Sequence, residues 1–404
     1  MSEHRPLEIA VPVGFMRYLS PASLSQEAAA LHASGLVDYV QTYDQITGWL
    51  PRSLWKPEYV PAAAFLPDGD SIYDTFALTA AMLAHNPEAG VCMSTDAIRR
   101  GPVELAQTLL TLGTLTSGKV MVQIGGGEVR QVSPGGWKRS QGLSSLEDQL
   151  RSWRALWQAH EPFSMEGNRW NLDDCYLGMQ RPVRQPIVWT VGGGPRLMDL
   201  TTSYADGVNV AIPAVQAYPQ SHGEWIRGVK SQLADKGRDP DDFGFGGWAV
   251  ILCHEDESVI DRALDNPVVR WEAAIWGRFN NGDWAKEGIE SAFPTDWHYA
   301  MKFRPMKISA SEAQEILGRT SRQMAEKCML HGTPAQIAEQ LKPFVDQGVN
   351  WFSLTDFLPI MLDPEDAARS HERTLQIARM LKDYGQHRHV GTRNTESVPV
   401  GAAR

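Results

Sequence analysis

Gly90-Val91-Cys92-Met93-Ser94-Thr95-Asp96, then Arg99-Arg100-Gly101-Pro102, then Lys119-Val120-Met121-Val122-Gln123-Ile124-Gly125-Gly126-Gly127-Glu128 read as one strand–helix–strand unit. The runs Ala89–Met93 and Lys119–Gly125 are the strand candidates. Between them Pro102 stands at a first helical position, and Leu105, Ala106, Leu109, Leu110 and Leu112 recur at helical spacing, giving the connection one apolar face. A strand, a helix and a second strand in that order predict parallel pairing through a helical crossover. The second strand runs into three glycines and a carboxylate, which puts bare backbone and an acid at a strand's C-terminal end.

The rhythm extends in both directions. Ile9–Phe15 is the first strand candidate, with Ser23–Ala33 as its helix, and Val37–Thr42 is the second. After the unit above, Ile187–Val191, Gly207–Ile212, Phe245–Cys253 and Val349–Leu354 complete a set of eight. Eight strands in βα order predict a (β/α)₈ TIM barrel, here a domain over residues 5–384. Two stretches break the rhythm. One is a loop over 46–70 through Trp49, Pro51, Trp55, Pro57, Pro61 and Pro67. The other is a long insertion before the last strand, about 257–325, rich in aromatics: Trp271, Trp276, Trp284, Phe293, Trp297, Tyr299 and Phe303. Connections so long are usually functional, and this one is expected to hold helices and roof a substrate cavity. Thr333-Pro334-Ala335-Gln336 has the form of a capping box opening the helix before the last strand. Beyond Tyr384, residues 385–404 show no apolar period and read as a disordered tail.

Composition narrows the function classes. Among 404 residues, 38 basic and 48 acidic side chains leave a formal charge of −10, so phosphate polymers have no electrostatic reason to bind and nucleic acid is not an expected partner. The start has no basic region leading into an apolar core, and no run reaches about 18 uninterrupted apolar residues, so a soluble cytoplasmic protein without a membrane span is expected. Cys92, Cys175, Cys253 and Cys328 are too scattered for a CxxC site, and His387 and His389 in the tail are not accompanied by an HExxH or similar cluster; no metal is expected.

Three constellations can carry chemistry, each with a plainer alternative. Gly126, Gly127 and Glu128 would let a planar ring approach the backbone beside an acid, or would be a turn and a helix cap. Gly192, Gly193 and Gly194 lie between a strand and Pro195-Arg196-Leu197; free amides at that helix start suit a phosphate, with Arg196 adding charge, although a turn with a solvated arginine reads equally well. Tyr43-Asp44-Gln45, with Trp49 downstream, follow the second strand, where they can orient a ring or poise a proton, or where Asp44 merely forms a turn.

Together these segments resemble the luciferase-like flavin and deazaflavin oxidoreductases, and within them the branch that uses coenzyme F420, especially the phthiodiolone dimycocerosate ketoreductase group. The resemblance rests on Tyr43-Asp44-Gln45 with Leu50-Pro51-Arg52-Ser53, Gly90-Val91-Cys92 with Thr95-Asp96 and Arg99-Arg100, Ala106-Gln107, Gly125-Gly126-Gly127-Glu128, Gly193-Gly194-Pro195-Arg196 and Gly332-Thr333-Pro334. It implies a homodimeric oxidoreductase with the cofactor's ring at the strand ends among Asp44, Cys92, Met93, Gly126, Gly127 and Glu128. The phosphate would lie near Gly192, Gly193, Gly194 and Arg196, and Trp49 would line the substrate pocket. It also implies a non-prolyl cis peptide at Cys92–Met93, bulging against the ring. Hydride would pass between F420 and a carbonyl or activated alkene of a small apolar or lipid-like substrate. A monooxygenase using flavin mononucleotide (FMN) is the alternative within the same fold, and a deazaflavin carrier without turnover is a third reading. One departure stands out. The Asp-His pair of relatives is Asp44-Gln45 here, and a glutamine does not exchange a proton near pH 7. Tyr43, Glu128 or water is then left to do so.

Overall fold

The computed structural model describes residues 5–14, 19–66, 69 and 72–395. Strands β1 (Glu8–Pro12), β2 (Tyr39–Tyr43), β3 (Val91–Asp96), β4 (Val120–Gly125), β5 (Ile187–Val191), β6 (Gly207–Ile212), β7 (Gly244–Cys253) and β8 (Trp351–Asp356) coincide with the eight runs read from the sequence. Phe15, at the end of the first run, lies outside the described residues. Each strand pairs in parallel with the next, and β8 returns to β1, so the sheet closes into a TIM barrel.

Side chains alternate across each strand, and this period sorts them into two sets. Val40, Met93, Val122, Val188 and Val208 face the helices in the large outer core. The other set faces the barrel axis in levels. Ala10, Tyr39, Cys92, Met121, Trp189 and Trp351 plug the N-terminal end as a separate apolar cluster. One step up, Gln41, Ser94, Gln123, Asn209 and Ser353 form a polar layer: Gln123 Oε1 accepts from Asn209 Nδ2 at 3.0 Å and Ser94 Oγ at 3.3 Å, and Ser353 Oγ donates to Gln41 Oε1 at 2.5 Å. The next step brings Tyr43, Asp96, Gly125, Val191, Ala211 and Trp248 to the C-terminal mouth.

The insertion between β7 and β8 holds helices Glu257–Asp265, Pro267–Trp276, Gly282–Lys286, Tyr299–Lys302, Ala310–Gly318 and Arg322–Cys328, as its length and apolar content suggest. It buries Trp271, Trp276, Trp284 and Phe303 in a second core shared with Leu50, Leu54 and Val60 of the loop after β2. Trp271 Nε1 donates to the Trp49 carbonyl at 2.8 Å, and Asn266 Nδ2 to the Tyr59 carbonyl at 2.8 Å, so loop and insertion form one roof. The insertion ends in a short strand, Leu330–Gly332, paired with β7 over Ile251–Cys253, above the point where β6 leaves it. The capping box at Thr333 is present, with Gln336 Oε1 accepting from the Thr333 N–H at 2.8 Å.

Two other features differ from the sequence reading. Phe163–Met165 and Leu172–Cys175 form an antiparallel hairpin between β4 and β5, too short to show a period. The last helix, Ser370–Thr395, runs past Tyr384, so 385–395 is helical and not a loose tail; 396–404 lie outside the described residues. No proline interrupts that helix, and extending a formed helix needs no new nucleus. Among the described residues no helix is long and apolar enough to cross a membrane.

Candidate active site

Above the polar layer, between the strand ends and the roof, lies a cavity of about 500 Å³. Of the residues singled out from sequence, it is lined by Tyr43, Asp44, Gln45, Trp49, Gly126, Gly127, Glu128, Gly192, Gly193, Gly194 and Arg196. Cys92 and Met93 are not among them, which corrects their placement. Cys92 is in the apolar plug and Met93 packs outward against the helices, both fully buried. Nor is their peptide bond cis, since Ile212–Pro213 is the cis bond among the described residues. The reason lies in the ladder: β3 continues in register three residues beyond Met93, to Asp96 opposite Gly125, so Ser94, Thr95 and Asp96 reach the cavity instead.

The β2 end is held by charge. Asp44 Oδ2 accepts from Thr95 Oγ1 at 2.7 Å and pairs with Arg99 Nη2 at 3.0 Å, while Arg99 also bonds the Asp44 carbonyl at 2.7 Å and pairs with Asp96. Arg100 continues the network to Asp74 at 2.5 Å. A carboxylate so enclosed is occupied in positioning the loop. Burial pushes the Tyr43 hydroxyl above its usual range, against the hydrogen bonds to Ser353 and Thr355 at 3.4 Å that oppose the shift. Gln45 differs from both: its side chain lines the cavity and makes no hydrogen bond to another described residue.

Glu128 owes its position to the turn after β4. Gly127 has φ +79°, a left-handed conformation that glycine adopts without strain. Val129–Val132 then forms one helical turn stitched to the β2 loop: Gln131 Oε1 accepts from Ile46 N–H at 2.8 Å, and its Nε2 donates to the Thr47 carbonyl at 2.8 Å. Arg130 is buried with its guanidinium 3.6 Å from the Trp49 ring centre, bonds the Thr47 carbonyl, and places Nε 2.7 Å from Glu128 Oε2. Trp49 in turn packs against Tyr299 at 5.3 Å and Phe303 at 6.2 Å. Trp49 therefore both lines the cavity and joins three loops.

Sequence reasoning missed two residues here, Arg139 and His298, and read Tyr299 only as part of the aromatic roof. Tyr299 sits beside Glu128, and burial together with that charge pushes its hydroxyl well above the usual range. Arg139 lines the cavity, its side chain makes no ion pair or hydrogen bond to a described residue, its Nε is buried, and burial lowers its pKa. His298, from the insertion, has its pKa lowered by burial first and by Arg139 second, against the opposing pull of Glu128. Trp297 and Tyr299 marked this stretch as roof, but no local pattern identifies a histidine there as a cavity residue.

Another part of the lining is glycine. Gly192 has φ +125° and turns β5 toward helix Pro195–Tyr204, whose N-cap, Gly194, provides no side-chain cap. A Cβ built on Gly193 or Gly194 would meet nothing within 4 Å. The helix's first amides therefore face open space, an arrangement that suits an anion. Arg196 is half exposed, 3.8 Å from Glu147. No group of three or more His, Cys, Asp or Glu side chains among the described residues is placed to hold a metal ion.

Comparison with known proteins agrees with this geometry. The luciferase-like monooxygenase family profile matches residues 58–350, leaving β1, β2, β8 and the Tyr43–Gln45 cluster outside the match. A phthiodiolone/phenolphthiodiolone dimycocerosates ketoreductase of Mycobacterium kansasii is 27% identical over 316 residues, 76% of this chain and 84% of that protein. Among solved structures, an F420-dependent secondary alcohol dehydrogenase, crystallised with an F420–acetone adduct, superposes with a TM-score of 0.70 at 18% identity, covering 93% of this chain and 99% of the other. A long-chain alkane monooxygenase superposes with a TM-score of 0.66 at 13% identity, over 95% and 92%. With the closed barrel, the mouth cavity and a profile match over most of its length, the chain belongs to the luciferase-like monooxygenase family of oxidoreductases.

Proposed function

We propose that this protein is a coenzyme F420-dependent oxidoreductase that moves a hydride between the deazaflavin and a carbonyl, or an activated alkene, of an apolar substrate. The observation that carries the reading is a single cavity whose lining combines open glycine amides at a helix start with the aromatic rings of Trp248, Trp276, Phe279 and Phe357. The residues fit an anion-bearing cofactor on two counts. No side chain fills the edge at Gly193 and Gly194, and the buried Nε of Arg139 has no hydrogen-bond partner among the described residues.

Gly192, Gly193 and Gly194 would hold the phosphate, and Gly126 and Gly127 would admit the ring close to the backbone. When bound, the deazaflavin supplies the hydride chemistry. The chain's share is alignment and dryness. The Asp44–Arg99–Asp96 network keeps the β2 and β3 ends rigid, the roof covers the cavity, and the aromatic side chains of its lining take the apolar body of the substrate. Proton exchange at the substrate oxygen falls to Glu128 or to water, because Tyr43 holds its proton too tightly and Gln45 has none to exchange. The relatives named as dimycocerosate ketoreductases support a ketone on a lipid-like substrate.

The FMN monooxygenase reading has a specific support in the alkane monooxygenase fold. Titration of the intrinsic tryptophan fluorescence with F420 and with FMN decides between them. F420 is expected to bind at least about tenfold tighter, a gap of about 1.4 kcal/mol. Equal affinities, or a preference for FMN, would move the protein to the monooxygenase reading. Binding of reduced F420 without consumption across a panel of ketones would make it a carrier.

A further inference from the structure

We infer that His298 is the hydrogen-bond donor that holds and polarises the reacting oxygen of the substrate, filling from the roof the place that Gln45 leaves on the barrel. The inference rests on the hydride-transfer reading and names a residue that acts in it. His298 is the single imidazole among the residues lining the cavity. Its segment is pinned at the cavity wall, since Tyr299 beside it is fully enclosed against Trp49 at 5.3 Å and Phe279 at 4.8 Å.

The hydrogen bonds of the ring decide what it can do. His298 is the N-cap of Tyr299–Lys302, and its Nδ1 accepts from the Ala300 N–H at 3.2 Å. An accepting Nδ1 carries no proton, so the neutral ring has its proton on Nε2. Nε2 is then the nitrogen left for a ligand, and it is a donor. Protonating the ring would put a second proton on Nδ1 and break the cap. The groups around it act mostly in the same direction: burial and the Arg139 cation disfavour the imidazolium, and Glu128 opposes them. Its neighbour Tyr299 keeps its own proton. The ring therefore stays neutral around pH 7, with its one N–H at Nε2, on a residue that lines the cavity.

Such a donor stabilises charge as it forms on oxygen without itself transferring a proton. In the reducing direction the carbonyl carbon receives the hydride and the C=O π pair moves onto oxygen. A proton from water, directly or by way of Glu128, completes the hydroxyl. His298 keeps its Nε2 proton throughout. Gln45 lines the same cavity after β2, and its amide makes no hydrogen bond to another described residue, which lets it orient the substrate.

The test uses the full chain and begins without cofactor. Nitrogen-15 NMR, with the ring assigned by its loss in His298→Asn, is expected to show a neutral imidazole protonated on Nε2 at pH 7. Hexanamide, an unreactive carbonyl probe, is expected to bind with a tryptophan fluorescence change and to bind about tenfold more weakly to His298→Asn. Asparagine is a favoured N-cap, so this variant keeps the bond to Ala300 and loses Nε2. His298→Ser, which also caps, serves if the asparagine variant does not fold. F420 affinity is expected to stay within about twofold, while turnover of a ketone falls by about 10²-fold in kcat. A proton on Nδ1, a charged ring at pH 7, or unchanged hexanamide affinity in a folded variant overturns the inference. Failure of F420 to bind the wild-type protein would instead sink the proposed function, because the hexanamide and NMR results do not depend on it.

Discussion

The floor and the roof of the cavity are built by different rules. The floor is eight strands whose inward side chains follow one alternation, so that Cys92, Ser94 and Asp96 of β3, or Met121, Gln123 and Gly125 of β4, rise through plug, polar layer and mouth in fixed order. The roof has no such period. It is held by particular pairs between segments far apart in the chain: Trp271 to the Trp49 carbonyl, Arg130 over the Trp49 ring, Gln131 to Thr47. A repetitive frame thus fixes where the cavity opens, while single contacts decide what covers it.

The strongest break to that comparison comes at Glu128, where floor and roof meet. Glu128→Gln preserves size and the Arg130 neighbour but removes the ability to exchange a proton. Turnover is expected to fall by roughly 10²–10⁴, the usual worth of a positioned acid or base, with F420 affinity little changed. Full turnover on a substrate whose chemistry is rate-limiting would assign the proton to water.

Trp49→Ala separates the two regions directly. It removes the ring that Arg130, Tyr299 and Phe303 share, and is expected to cost about 3 kcal/mol, the low end for a large aromatic in a core. Hydrogen exchange should rise in 267–303 and remain unchanged in β3 and β4. Equal loss of protection in both would show that roof and barrel unfold as one unit.

The same division governs what could be read in advance. The eight strands were legible because buried parallel strands are near-continuous apolar runs, and helical connections such as Pro102–Leu115 keep one apolar face. Strand ends were less so: β3 was read to end at Met93 but runs to Asp96, so Ser94, Thr95 and Asp96 reach the cavity, while Cys92 and Met93, which the resemblance put at the ring, lie below it. Glycine runs and the strand-end residues Tyr43, Asp44, Gln45 and Glu128 reach the cavity because their places depend on the frame. Arg139 and His298 were invisible because theirs depend on tertiary contacts. That Asp44 is enclosed by Arg99 and Thr95 also needed coordinates, since a lone aspartate in a loop has the same local pattern whether it caps, pairs or reacts.

Gly193→Val tests the frame at its most exposed point. The new side chain would meet no protein atom near its Cβ, so the fold is expected to survive with its melting temperature nearly unchanged. Its bulk would instead occupy the space before the helix amides, and F420 affinity is expected to drop by about tenfold, or about 1.4 kcal/mol. Unchanged affinity in the folded variant would mean that this glycine run is only a turn.

The smallest effect is expected at Gln45, and it asks whether the floor or the roof governs the substrate oxygen. Gln45→His replaces a side chain that makes no hydrogen bond to another described residue, so stability should move by no more than about 0.5 kcal/mol. The new imidazole adds a group that titrates near neutrality. If His298 already holds the oxygen and Gln45 orients the substrate, the added titratable group gains nothing and the lost amide costs orientation. Turnover is then expected to fall a few-fold with no new ionisation in its pH profile. Combining the change with His298→Asn sharpens the reading: the double variant should remain as slow as His298→Asn alone if the roof donor is required. A rise in rate with a new ionisation near pH 6–7, the ordinary range for histidine, would place proton exchange at position 45 and return control of the oxygen to the barrel.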